Sequence, residues 1–265
     1  MRFLVVNFLM MVLLSSTAFA FDHTHKEWTS VLKEYQTKKG LLKYKKLKAD
    51  TDKSKESKDA KKTKIHVFNS YIDSVQAVSF KEYSSFSKNE KMAFLINSYN
   101  ALTVKLILDN YPVKSIKKIG GWFTKPWSVE FFSLLDGKIK SLDPIEHEWI
   151  RPKFEDYRIH AAVNCASFSC PPLRNEAFVA SRLDKQLDGQ MVAWLKDQNR
   201  NQISLKSNTW TISKIFDWYE GDFKKWGGGV VNVISKYMKK PLDPEASKKI
   251  KIKYLNYNWD LNEAK

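Results

Sequence analysis

The longest apolar pattern in the chain runs from Met92 to Leu108. There Met92, Phe94, Leu95, Ile96, Tyr99, Leu102, Val104, Leu106, Ile107 and Leu108 cover nearly the whole circumference of a helix. A helix apolar all round is buried centrally, not laid on a surface. Ser87-Lys-Asn-Glu90 ahead of it has capping-box spacing, and Pro112 follows shortly after it, so the pattern predicts a helix over 88–109. Asn97 and Asn100 sit inside this cylinder, three apart and so on one face, with the small Ala93 and Ala101. A buried amide without partners costs about 1–3 kcal/mol. These two are therefore expected to clamp a neighbouring loop or strand.

Other helical periods cover residues 65–78, 175–196, 213–226 and 230–238. Asp143-Pro144-Ile145-Glu146 reads as a helix start, with Asp143 as N-cap and Glu146 in a capping role. Strand patterns are shorter. Residues 129–135 and 138–142 flank Asp136-Gly137, a hairpin signal. Residues 203–205 and 210–212 flank Ser207-Asn208, and Ile250, Ile252 and Tyr254 alternate with lysines. Residues 158–164 have the small and branched composition of a buried strand. Together these predict one α+β domain: a buried central helix on a mixed, mostly antiparallel sheet.

The first twenty residues read differently. Arg2, an apolar run from Phe3 to Leu14 and Ala18-Phe19-Ala20 make a secretory signal peptide, with cleavage expected after Ala20. Phe21 follows instead of Cys, which excludes a lipid anchor there, and no later stretch could span a membrane. The expected product is a periplasmic or secreted domain over residues 21–265. Its charge of +15 is uneven, because residues 38–64 carry twelve lysines against four acids. That segment is expected to be exposed, with contact to an anionic cell-envelope component as its functional reading. Nucleic acid is not expected as a partner, since the run lacks interleaved Arg and aromatics.

Candidate chemistry concentrates in residues 158–174, R-I-H-A-A-V-N-C-A-S-F-S-C-P-P-L-R, which hold both cysteines. Cys165 is a candidate nucleophile with His160 as base, and Asn164, Asn97, Asn100 or Glu146 could orient the base. If 158–164 is a strand, His160 and Cys165 point apart, roughly 17 Å from each other. A Cys165–Cys170 disulfide, two free thiols beside a cleft, and thiol redox or metal work are the other readings. Trp122 and Trp127, on a Gly/Pro loop, and Arg174 are candidate binding residues. No H-E-x-x-H or Gly-rich phosphate loop is present, and no cofactor or metal is expected. The best concrete function is a Cys/His-dependent hydrolase or acyl transferase acting on an envelope component. The alternative is a non-catalytic binding or scaffold domain in which Cys165–Cys170 is a structural disulfide.

Several segments resemble the DUF547 family, a domain of unknown function. They are M-A-F-L-I-N-S-Y-N-A-L-T at 92–103, Y-P-V-K-S-I at 111–116, S-L-D-P-I-E-H at 141–147, S-K-I-F-D-W-Y-E-G-D-F at 213–223 and Y-N-W-D-L-N at 257–262. Most specific is 158–174 itself. Where the family usually has Asp before the last Trp, Asn258 stands here. The resemblance implies His160, Cys165, Cys170, Asn97, Asn100 and Glu146 as a characteristic polar set. It implies no activity.

Overall fold

The structure, a computed structural model, describes residues 20–56, 66–121, 123–204, 207–238 and 241–264. Residues 1–19, where the signal peptide is expected, residues 57–64 of the Lys-rich segment and Trp122 lie outside the described residues. The chain is mostly helical. Helices α1 (Lys26–Tyr35), α2 (Tyr44–Glu56), α3 (Val67–Ala77) and α4 (Phe80–Ser85) lead to α5 (Lys88–Asp109). The long helix carries the full capping box: Glu90 N–H donates to Ser87 Oγ, and Ser87 N–H to Glu90 Oε2 at 2.8 Å. Its residues from Met92 to Val104 are all buried, as the all-round apolar pattern requires.

The mostly antiparallel sheet expected from the strand patterns is absent. Among the described residues the sheet has two strands, β1 (Thr209–Ile212) and β2 (Lys251–Tyr254), and they are parallel, with Thr209 opposite Lys251 and Ile212 opposite Tyr254. A parallel pair needs a long crossover, and here the intervening chain is helical. The hairpin at Asp136-Gly137 shrinks to a single bridge, Leu134 to Ile139. Leu135, Asp136 and Gly137 all adopt left-handed backbone there, so the turn forms without flanking strands.

The expected strand over 158–164 is a helical turn, α8 (Ile159–Ala162), which follows α6 (Leu142–Pro144), a π-helical segment (Ile145–Ile150) and α7 (Arg151–Phe154). Local composition lost to local hydrogen bonding. Asp156 accepts the N–H of Arg158, and Tyr157 O accepts His160 N–H, which closes the turn. Asn100 ends it. Its Nδ2 donates to Ala162 O at 2.9 Å and its Oδ1 accepts Asn164 N–H at 2.8 Å, so both groups are taken from any further helical bond. Beyond lie α9 (Leu183–Lys196), α10 (Ile215–Trp218), α11 (Glu220–Gly227), α12 (Val230–Lys236) and α13 (Pro244–Lys248).

Two apolar clusters form the interior. The larger surrounds α5 and takes in Trp28, Tyr71, Phe94 and Phe178. The smaller gathers Trp194, Trp210, Phe216, Phe223 and Ile234. No helix among the described residues is long and apolar enough to cross a membrane.

Candidate functional site

The loop after α8 is held by buried side chains before it carries any chemistry. Asn164 Nδ2 donates to Pro171 O at 2.8 Å, and its Oδ1 accepts Ala166 N–H and the amide of Asn262. Ala166 therefore turns left-handed, at φ +60°, directly after Cys165. Arg200, 5% exposed, donates to the carbonyls of Cys170 and Phe168 and to Asp197. Asn97, one turn from Asn100, bonds both the N–H and the carbonyl of Phe178. Asn97 and Asn100 thus spend their polar atoms on main chain and Asn164 on main chain and the Asn262 amide, so Asn164 orients no imidazole.

The loop brings the two sulfurs together. Cys165 N–H donates to Cys170 Sγ at 3.1 Å, and the hydroxyls of Ser167 and Tyr257 each lie 3.3 Å from that sulfur. Ser167 Oγ and Tyr257 OH are 2.7 Å apart, and Cys165 Sγ touches both. Both cysteines are free thiols, Cys165 half-buried and Cys170 buried. Burial alone would raise the Cys170 thiol, but the donors from Cys165, Ser167 and Tyr257 outweigh it and bring it down to about 6. The Cys165 thiol is pushed up by its hydrogen bond to Cys170 and by burial. Two adjacent sulfurs with one proton between them settle the charge on the better-donated one, Cys170.

A second cluster faces the same cleft. His160, on α8, is 2% exposed, and its Nε2 lies 2.8 Å from Asp222 Oδ2 on α11. A carboxylate only accepts, so Nε2 carries the proton. Burial lowers the His160 pKa, partly opposed by Asp222, and the ring is neutral with Nδ1 as its acceptor. Nδ1 is buried and has no partner among the described residues. Asp222 is desolvated, yet its bonds to His160 and Arg151 hold it well below the usual carboxylate range. Arg151 Nε donates to it at 2.7 Å. Tyr219 stacks on His160 with ring centres 4.0 Å apart, and donates its hydroxyl to Glu146 at 2.8 Å. Glu146 lies in the π-helical segment, is buried and accepts from Tyr219, so it does not have the capping role that the helix-start pattern predicted; the helix begins after Ser141 instead. A π turn adds a residue to the helical repeat and rotates the side chains that follow, a device common at functional sites.

The cleft, about 650 Å³, is lined by His160, Cys165, Cys170, Glu146 and Tyr219. Trp127, Trp218, Tyr257 and Trp259 line it too, and Trp218 stacks on Trp259. So His160 and Cys165 share one cavity although the strand geometry set them apart: a turn of helix and a kinked loop replaced the extended chain. Trp127 is in the cleft. Arg174 is not; it pairs with Glu176 elsewhere. Sequence reasoning missed Asp222, Tyr219, Tyr257, Ser167 and Arg151. The F-D-W-Y-E-G-D-F and Y-N-W-D segments carry three of them, so acids and phenols within dense aromatic runs were the available signal. Among the described residues no three His, Cys, Asp or Glu side chains gather as metal ligands.

Residues 83–195 match the family described as "Protein of unknown function, DUF547", which bears out the resemblance over that segment. The matched span holds the polar set of α5, α8 and the cysteine loop, and stops before Tyr219, Asp222 and Tyr257. No curated protein and no solved structure matches the chain.

Proposed function

We propose that this chain, with its DUF547 segment at residues 83–195, is an exported thiol-dependent hydrolase or acyl transferase that acts on a component of the cell envelope. One observation carries the reading: two neighbouring thiols, with three donors around the Cys170 sulfur, share a cleft with an imidazole whose Nε2–H is taken by Asp222. That is the division of labour between nucleophile, base and orienting acid that acyl transfer needs. The thiolate adds to the acyl carbon. The Cys165 thiol gives its proton to the leaving group. His160 Nδ1 then takes a proton from the water or alcohol that attacks the thioester, the Cys170 thiolate leaves, and the proton returns to Cys165. Asp222 holds the ring in the tautomer this requires and stabilises the imidazolium that forms.

Export rests on the N-terminal pattern and on a second support. Phe21, the first residue after the expected cleavage, packs its ring on Phe86 and Phe94, and its nitrogen lies 2.9 Å from Glu82 Oε1. A freed ammonium there gains a carboxylate partner.

The test is a panel of 4-nitrophenyl esters with mass spectrometry of the acid-quenched protein. The reading expects an acyl adduct, removable by hydroxylamine, on the peptide holding Cys165 and Cys170. It expects no adduct in Cys170→Ser, and an adduct that accumulates in His160→Ala. Absence of any adduct across the panel would sink it. A second reading, a binding domain closed by a Cys165–Cys170 disulfide, draws on the same adjacency of the sulfurs. A thiol count on folded protein isolated from the envelope separates the two, because the disulfide reading requires zero.

A further inference from the structure

A second cleft, about 760 Å³, is also built on the cysteine loop, but from Phe168 and residues 172–175 in place of the sulfurs. Its other walls come from α1, the turn that follows it, and α9. Lys33, Lys38, Lys39 and Lys196 line it, all exposed, and none makes an ion pair or side-chain hydrogen bond among the described residues. The nearby acids are already taken. Asp197 is bound by Arg200, and Glu176 holds Arg174 and Arg182. Arg174 also lines the cleft, with Nε and Nη2 held by Glu176. Elsewhere lysines find acids one turn away, as Lys48 does with Asp52 and Lys105 with Asp109. Here lysines from α1, the turn after it and α9 converge on one concavity, and the one acid that lines it, Asp197, is paired with Arg200, so among the described residues they have no acid partner.

We propose that this cleft binds a ligand bearing several phosphate groups. Four ammonium groups around one cavity repel one another, and a single carboxylate would offset only one of them. A phosphate group brings up to two charges and three acceptor oxygens, and lysine meets it as a point charge without demanding a fixed angle. Leu41, Phe168, Pro172 and Leu173 give the cleft an apolar floor, so a phosphorylated ligand with a sugar or glycerol body fits better than a bare ion. The turn that presents Lys38 and Lys39 is fixed in place. Gly40 has φ +74° and lies so close to Pro172 that an added Cβ would come within 2.5 Å of the ring carbon. The site is independent of the thiol chemistry.

The test is isothermal titration of the full chain with tripolyphosphate, at low and at moderate salt. In parallel, the chain is sedimented with phosphatidylcholine vesicles containing a phosphatidylinositol bisphosphate. A variant carrying Lys33→Ala, Lys38→Ala, Lys39→Ala and Lys196→Ala is compared with a charge-matched control, Lys81→Ala, Lys88→Ala, Lys114→Ala and Lys185→Ala. All eight lysines are exposed, so both variants fold. The expected result is binding weakened at least 10-fold in the first variant and within 2-fold of the parent in the second. Loss in the tripolyphosphate arm assigns a soluble ligand; loss in the vesicle arm alone assigns a lipid headgroup. Equal weakening in both variants reduces the effect to net charge and overturns the site, as does no binding by the parent in either arm.

Discussion

At the scale of single residues, what matters is which polar atoms have partners. Cys170 has three donors around one sulfur, and Tyr257 is one of them. Tyr257→Phe removes that donor and leaves the ring, so the midpoint of iodoacetamide labelling at Cys170 should rise from about 6 by roughly one unit. An unmoved midpoint would mean the phenol does not hold the charge. Because the folded thiol is depressed, stability from this thiolate is present above the unfolded value and lost as pH falls through the folded one. His25 gives a second residue-scale test. Burial pushes it down to about 3, with Nδ1 against Tyr71 OH at 2.8 Å and Nε2 without a partner among the described residues. Between the unfolded value of 6.5 and 3 the unfolded chain binds one more proton, so folding weakens as pH falls. From pH 6.5 to 5 the loss should be about 1–2 kcal/mol in urea titrations, and His25→Gln should flatten that slope. The residues themselves were legible as chemistry in the sequence. Cys165, Cys170 and His160 stand out because few side chains can do what they do. Their partners Tyr257 and Asp222 were not, because 92 and 62 residues separate them from Cys165 and His160, and no local pattern spans such gaps.

At the scale of elements, α5 is where prediction and structure agree most closely, because everything that fixes it is local. Its capping box lies within four residues and its apolar pattern within about five turns. Ser87→Ala should cost about 1 kcal/mol in thermal unfolding, the usual value of an exposed N-cap. Asn100→Ala should cost more, about 2–3 kcal/mol, since it strands a buried carbonyl on Ala162 and a buried N–H on Asn164. If Asn100→Ala costs no more than Ser87→Ala, the clamp is replaceable by water. The same clamp explains why α8 defeated the strand pattern. Small and branched residues at 158–164 suit either state, and the decision fell to Asp156 at one end and to a side chain of another helix at the other. Propensity is weak beside such contacts.

At the scale of the whole molecule, Asp222 ties together parts that the two apolar clusters organise separately. It lies beside Phe223 of the smaller cluster and binds Arg151 and His160, whose neighbours Ile150 and Ile159 belong to the larger. Asp222→Asn keeps the shape but cannot hold the arginine and the imidazole as a carboxylate does. It should lower stability by about 2–4 kcal/mol, and acyl adducts should form but turn over slowly. An unchanged turnover would remove His160 from the proposed mechanism.

The sequence by itself determined the buried helix, its cap, the two amides that must find partners and the stretch that carries the thiols, because each is written within a few turns of chain. Only the tertiary structure decided that 158–164 is a turn of helix, that the sheet is two parallel strands, and that His160 faces the thiols' cleft. Those outcomes depend on hydrogen bonds between groups tens of residues apart, main chain as well as side chain, and a buried polar atom is satisfied by whatever the fold brings to it.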